Sequence, residues 1–305
     1  MTASDQSHSA APARLSISAI FRVIRPHQWL KNCLIAVPAI AAHHFDANSL
    51  SFVGMAILSF SLCASSVYIL NDYLDREHDR IHPRKKLRPY ASGALPEWTV
   101  YLLVPLFLIA STFSAFMLPH IFLYVLGGYF ILTLIYTLFA KRMMMVDVVI
   151  LAVLYGLRVC AGGAALMIPL SEWLIAFCVF FFLSLALIKR AAELRQIITL
   201  QQTEISGRGY RAEDYQSVQS LAGASGFVSV LVISLYFNSD AVRSLYHAPY
   251  FLWGTGLVML FWLGRILILT ARGEMHDDPV IFAVTDRVSL VSGLFVAIFL
   301  GLSML

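Results

Sequence analysis

Apolar runs of 15 to 22 residues recur along the chain, separated by short charged loops. A water-soluble fold has no interior large enough to hide runs of that length on every helix face. In lipid they are what each crossing requires, about 20 residues at 1.5 Å per residue. Only helices or closed barrels satisfy their backbone polar groups there, and continuous apolar runs, rather than alternating ones, select helices. Composition agrees: 59% of residues are hydrophobic, 13% are charged and the mean hydropathy is +0.75, far from soluble-domain averages. The runs at 30–44, 50–70, 99–117, 121–140, 146–167, 173–188, 221–237, 250–270 and 288–305 predict an all-α polytopic membrane bundle of about nine transmembrane helices. The first and sixth are short, which implies tilt or a polar extension.

Lysine and arginine set the orientation, because basic residues flanking spans stay on the cytoplasmic side. With the N-terminus inside, Arg14, Arg22, Arg25, Lys31, Arg272, Arg287 and the basic residues of 76–88, 141–142 and 189–211 all fall inside. Only Arg243 remains outside, and Arg158 and Arg265 fall within spans. A multi-pass protein of a bacterial inner membrane, with its N-terminus and site in the cytoplasm, is expected. The pI near 8.9 follows from this one-sided charge, with anionic lipid and phosphate-bearing ligands as sufficient partners and no nucleic acid required.

Residues 1–20 read as a disordered cytoplasmic tail, Ser- and Ala-rich and without a cleavable leader, and 21–305 as one intramembrane domain. Cys33, Cys63, Cys160 and Cys178 lie in apolar runs without CxxC spacing and read as small hydrophobes. Outer loops carry few ionisable groups whereas inner loops are long and charged, which places recognition or chemistry at the inner mouth of the bundle.

The strongest motif there is Asn71-Asp72-Tyr73-Leu74-Asp75-Arg76-Glu77-His78-Asp79, at the inner end of the second span. On a continuing helix Asn71, Asp75 and Asp79 recur at i, i+4, i+8 over roughly 12 Å. Such stacked oxygens suit Mg2+, which takes one or two carboxylates together with phosphate oxygens and water. A charge-balanced, solvated helix end is the alternative, since Arg76, His78 and Arg80 are interleaved. Arg84, Lys85, Lys86 and Arg88 follow between Pro83 and Pro89, either a topogenic loop or a seat for a departing diphosphate.

Two further inner clusters are Arg25-Pro26-His27-Gln28-Trp29-Leu30-Lys31-Asn32 and Lys189-Arg190-Ala191-Ala192-Glu193. Trp29 and Lys31 are equally an interfacial anchor and a snorkelling cation, and Glu193 is placed to pair with Lys189 or Arg190 one turn away. Arg158 lies eleven residues beyond Asp147, roughly 16 Å into the membrane. It must face the bundle interior, paired with the protein or with a ligand anion. Gly162 and Gly163 beside it permit close helix contact. His78 and His82 lack the further ligands that zinc would need.

These motifs together resemble the UbiA superfamily of intramembrane prenyltransferases, and within it the decaprenyl-phosphate phosphoribosyltransferase branch. The resemblance rests on RPHQWLKN at 25–32, SSVYILNDYLDREHDRIHPRKKLRP at 65–89, YTLFAKRMMMVD at 136–147, LRVCAGG at 157–163, KRAAEL at 189–194 and DDPVIFAVTDRVSL at 277–290. It implies Mg2+-dependent transfer of a 5-phosphoribosyl group from phosphoribosyl diphosphate to a polyprenyl phosphate, releasing diphosphate and supplying cell-envelope glycan precursors. Aromatic prenyltransferases of the superfamily carry a second acidic motif after the sixth helix, where this chain has Lys189, Arg190 and Glu193. Two phosphorylated substrates bring more negative charge than one diphosphate and an aromatic acceptor, so cations at that place fit the phosphoribosyl case.

On that reading Asn71, Asp72, Asp75 and Asp79 hold Mg2+ on the diphosphate, with Asp72 and Asp75 indispensable to catalysis. Arg84, Lys85 and Arg88 stabilise the leaving diphosphate, and Lys31 meets the lipid phosphate. Tyr136, Lys141, Asp147, Lys189, Arg190 and Glu193 orient either substrate, with Arg158 deeper in the pocket. An aromatic prenyltransferase using a polyprenyl diphosphate is the nearer alternative, and a lipid transporter the remote one. Prenyl chain length and oligomeric state are not legible.

Overall fold

Every long apolar run becomes a helix, as a chain with no water to bond its backbone requires. The computed structural model describes residues 16–81, 85–205, 207–275 and 278–305. Eight helices are long and apolar enough to cross a membrane. They are α3 (Ala47–Leu74), α5 (Trp98–Ala115), α6 (His120–Leu138), α7 (Val146–Leu166), α8 (Glu172–Thr199), α9 (Tyr215–Phe237), α11 (Leu252–Arg272) and α13 (Arg287–Met304). Short helices join them: α1 (Ile17–Ile24), α2 (Val37–Ala41), α4 (Arg76–Ile81), α10 (Asp240–Leu245) and α12 (Pro279–Thr285). The described residues contain no named strand, only one isolated bridge between Glu204 and Arg211.

Three expectations change. The span expected at 30–44 is not a long α-helix: a 3-10 segment, Pro26–Ala36, runs into α2. Eleven residues at a 3-10 rise of about 2.0 Å and five at about 1.5 Å still reach roughly 30 Å, so the segment is long enough to cross despite its residue count. It begins beside Asp72, through Arg25, and ends where His43 packs edge-on against Tyr246 in the opposite loop. Two of its side chains are held by the serine stripe of α3, Trp29 donating to Ser65 Oγ and Asn32 to Ser61 Oγ, both at 2.9 Å. Second, α1 begins at Ile17 and buries Ala19 and Val23, so the folded part starts ahead of residue 21. Residues 1–15 of the expected tail lie outside the described residues. Third, the short sixth run belongs to a 28-residue helix, because Ile188, Ala191, Leu194 and Ile197 continue its buried face past the apolar stretch. Lys189, Arg190 and Glu193 therefore sit on a helix and not in a loop.

Two cores flank α7. One joins α7, α8, α9 and α11 through Val159, Phe182, Ala222 and Ile266, with Tyr210 and Met275 closing its polar end. The other joins α3, α6 and α7 through Phe60, Phe122 and Leu154. Between them lies the 3-10 segment, pressed on α7 at Gly162, where a Cβ would come 2.0 Å from the Ile35 carbonyl oxygen. The contact fixes Lys31 and Asn32 against the bundle centre. Gly163, by contrast, is crowded by its own following loop, Ile168 and Leu170, and not by another helix.

Candidate active site

The polar ends of α3, α6, α7, α8 and α11 meet on one side, and there the charged residues of distant segments pair. α3 ends at Leu74 and α4 starts at Arg76, but Asp75 N–H still bonds Asn71 O and Asp79 N–H bonds Asp75 O, both at 2.9 Å, so helical phase is kept across the break. The four expected ligand residues nevertheless divide into two pairs. Lys141 donates to both Asp75 oxygens at 2.8 Å and approaches Asn71 Oδ1 at 3.4 Å. Arg88 contacts Asp79 at 2.7 Å and Asp72 at 3.3 Å. The expected grouping of Asp79 with Asn71 and Asp75 gives way for a geometric reason. Seven residues fall about 20° short of two turns, whereas eight overshoot by about 80°. Asp72 and Asp79 are therefore the better aligned pair.

Asp72 is buried and also accepts from Arg25 at 2.6 Å. Arg25 holds a left-handed backbone conformation, φ 55 and ψ 60, at the junction of α1 and the 3-10 segment. That region costs a non-glycine residue about 1 kcal/mol or more, and more so before proline. The bent junction is what directs its guanidinium at α3.

Oxygen donors are the right chemistry for Mg2+, and Asp72 Oδ2 is a buried oxygen with no hydrogen-bond partner. In ligand type, then, the row fits a hard cation. Among the described residues no three His, Cys, Asp or Glu side chains converge as a metal site, and the row's carboxylates are paired instead with Arg25, Arg88 and Lys141.

A second network surrounds Asp147 at the start of α7. Asp147 is fully buried and accepts from Arg190 at 2.5 Å and from Tyr210 Oη at 2.7 Å. Tyr210 Oη also accepts from the N–H of Met145, itself at a positive φ of 64°, which anchors the 139–145 turn to the 201–211 loop. Arg190 pairs in addition with Glu193, and Arg208 reaches Glu193 at 3.5 Å, Asp147 at 3.6 Å and Tyr136 Oη at 3.3 Å. Burial opposes the charge on Arg208, but Glu193, Tyr136 and Asp147 outweigh it and raise its pKa. Glu193 thus pairs with Arg190, as its spacing allows, and with Arg208, which sequence spacing did not reveal.

Lys189 leaves that cluster for a third one. Lys31, at 2.6 Å, and Lys189, at 3.0 Å, both donate to Asp278 Oδ2, and Tyr155 Oη donates to the same carboxylate at 3.2 Å and 3.3 Å. Burial would raise the Asp278 pKa, yet the two ammoniums hold it well below the usual carboxylate range. Arg158 lies deeper still and fully inside the bundle, donating to Asn32 Oδ1 at 2.9 Å, to Tyr129 Oη at 3.0 Å and to the Leu154 carbonyl. Its charge is carried by neutral acceptors and by the faces of Tyr129 and Tyr155.

A cavity of about 710 Å³ opens between these clusters, with Lys85, Arg88, Lys189, Glu193 and Asp278 in its wall. The structure thus gathers Lys85 and Arg88 of the cationic loop and Lys189 and Glu193 of α8 around one space, and the acidic row adjoins it only through the contacts of Arg88 with Asp72 and Asp79; Arg84 lies outside the described residues. Arg25, Arg208, Tyr210 and Asp278 were not singled out individually by sequence. The available signal was Asp278's place in an Asp-Asp-Pro run opening a short helix, where it caps Val280 N–H.

A model of the UbiA prenyltransferase family matches residues 32–290. The nodulation protein NoeC of Azorhizobium caulinodans is 32% identical over 92% of this chain and 91% of its own length. The protein y4nM of Sinorhizobium fredii is 35% identical over 90% of this chain, but the match spans only 54% of y4nM. Decaprenyl-phosphate phosphoribosyltransferase of Mycobacterium tuberculosis is 37% identical over 60% of this chain and 62% of that enzyme. Among solved structures, a UbiA homologue from Archaeoglobus fulgidus bound to GPP and Mg2+ superposes with a TM-score of 0.70 at 14% identity, covering 94% of this chain and 99% of that one. Eight apolar helices, their arrangement and the family match over most of the chain agree: this is a multi-pass membrane protein belonging to the UbiA prenyltransferase family.

Proposed function

We propose that the protein transfers a 5-phosphoribosyl group from phosphoribosyl diphosphate to a polyprenyl phosphate at the cytoplasmic face of a bacterial inner membrane, releasing diphosphate. The observation that carries this reading is the cationic wall of the 710 Å³ cavity, where Lys189 of α8 faces the same space as Lys85 and Arg88. Two phosphorylated substrates need such a wall, and the similarity to mycobacterial decaprenyl-phosphate phosphoribosyltransferases supports it.

In the proposed reaction a lipid phosphate oxygen forms a bond to ribose C1 as the C1–oxygen bond to diphosphate breaks and the electron pair leaves with diphosphate. The nucleophile is already an anion, so no protein base is needed and catalysis rests on alignment and charge. Asn71, Asp72, Asp75 and Asp79 would hold Mg2+, which supplies charge neutralisation on the diphosphate. Arg88 and Lys141, paired with the carboxylates, would turn to the incoming phosphate oxygens, with Lys85 acting from the same cavity wall as Arg88 and Arg84, its neighbour in sequence, assigned the same role. Lys31 and Lys189 receive the lipid phosphate. Asp147, Tyr136, Arg190, Glu193 and Arg208 hold the α8 side of the pocket, and Arg158 fixes the 3-10 segment through Asn32.

Membranes containing the protein, given ribose-labelled phosphoribosyl diphosphate, polyprenyl phosphate and Mg2+, are expected to yield a butanol-extractable labelled lipid. No labelled lipid, together with prenylation of an added aromatic acid by a polyprenyl diphosphate, refutes the reading in favour of aromatic prenyl transfer.

A further inference from the structure

Asp278 is the one carboxylate among the described residues that either Lys31 or Lys189 contacts. Lys31 comes from the 3-10 segment and Lys189 from α8, yet both ammoniums meet a single oxygen, Oδ2, while Tyr155 of α7 donates from a third side. Three donors converging from three elements on one oxygen form an anion seat, and the anion in it belongs to the protein. The seat is accessible: Lys189 and Asp278 line the 710 Å³ cavity, and the Lys189 side chain is 32% exposed against 8% for Lys31. Without a partner, two ammoniums so placed would carry a desolvation penalty that disfavours either their charge or the packed arrangement.

We propose that Asp278 is an internal counter-ion that holds the seat between Lys31 and Lys189 until the phosphate of the acceptor lipid takes its place. The proposal rests on the phosphate-acceptor reading above. Asp278 keeps both lysines charged and aimed at one point when no lipid is bound, and it competes with the lipid phosphate for them. On exchange its carboxylate retains a partner in the Val280 N–H that it already caps, so its departure does not strand it. A purely structural tie predicts the opposite: loosening Asp278 would scatter the lysines and weaken phosphate binding.

The test is calorimetric titration of the detergent-solubilised full chain with geranyl monophosphate and, separately, with geraniol. Asp278→Asn removes the competing charge and is expected to bind the monophosphate about tenfold more tightly, given interaction energies of close charges near a protein surface, with geraniol unchanged. Asp278→Glu is expected to return wild-type affinity. Unchanged or weaker monophosphate binding by a folded Asp278→Asn protein overturns the counter-ion role and leaves the acceptor reading standing. If that variant does not fold, Lys189→Gln decides the matter: a loss of about tenfold for the monophosphate alone supports the shared seat, and no loss overturns it. Wild-type protein that binds geranyl monophosphate no better than geraniol overturns both this proposal and the phosphate-acceptor reading.

Discussion

Replacing Gly162 with alanine perturbs the site from a distance through one backbone contact. The added Cβ would stand 2.0 Å from the Ile35 carbonyl oxygen and 2.9 Å from Pro38 Cδ. Neither neighbour is a flexible side-chain end, and an ordinary contact needs more than 3 Å, so the 3-10 segment must retreat from α7 by about 1 Å. Overpacking of that kind costs roughly 1–3 kcal/mol. Lys31 and Asn32 ride on the displaced segment, so their bonds to Asp278 and Arg158 lengthen with it. A displacement near 1 Å in a positioning element is expected to lower turnover by about 100-fold. Thermal unfolding in detergent and the labelled-lipid assay on membranes measure the two effects. Gly128→Ala on α6 is the control, since a Cβ there meets nothing within 4 Å. Wild-type stability and turnover in Gly162→Ala would refute the claim that this contact positions Lys31.

Three further outcomes are expected. Arg190→Met leaves buried Asp147 without its closest cation and should cost about 3–5 kcal/mol; adding Asp147→Leu should recover most of that, as melting curves of the single and double variants will show. Asp75→Ala should abolish Mg2+-dependent formation of labelled lipid while monodispersity by gel filtration is kept, because Asp75 is partly exposed at the helix break and its loss opens no core cavity. For Asp278 the ammoniums of Lys189 and Lys31 outweigh burial and depress the folded pKa below the unfolded one, so the stabilisation is complete above about pH 5 and is lost as pH falls through the folded value. The melting-temperature advantage of wild type over Asp278→Asn should therefore be constant above that pH and shrink below it; an advantage that grows on acidification contradicts the sign.

Residues 50–70, 99–117, 121–140 and 146–167 were legible as spans because an apolar run in lipid has one backbone solution. The 3-10 form of Pro26–Ala36 was not, since hydropathy carries no information on helical pitch, and its polar residues take their places from Ser61 and Ser65 of another helix. The length of α8 was missed for a related reason. Its last turns are polar on one side and apolar on the other, and a run-based reading stops at the first lysine. In the acidic row the residue types were legible, but their partition was not: Lys141 lies 66 positions from Asp75, and nothing local distinguishes it from a topogenic cation.

What the sequence determined alone is therefore the class of solvent, the helical class, the side on which charge gathers and the chemical types at the site. Each of these follows from local composition repeated along the chain. The tertiary structure decided which charges neutralise one another: Asp72 and Asp79 with Arg88, Asp147 with Arg190, and Asp278 with Lys31 across 247 positions. Coulomb attraction in a desolvated space depends on distance and burial, and a sequence states neither until the helices have packed.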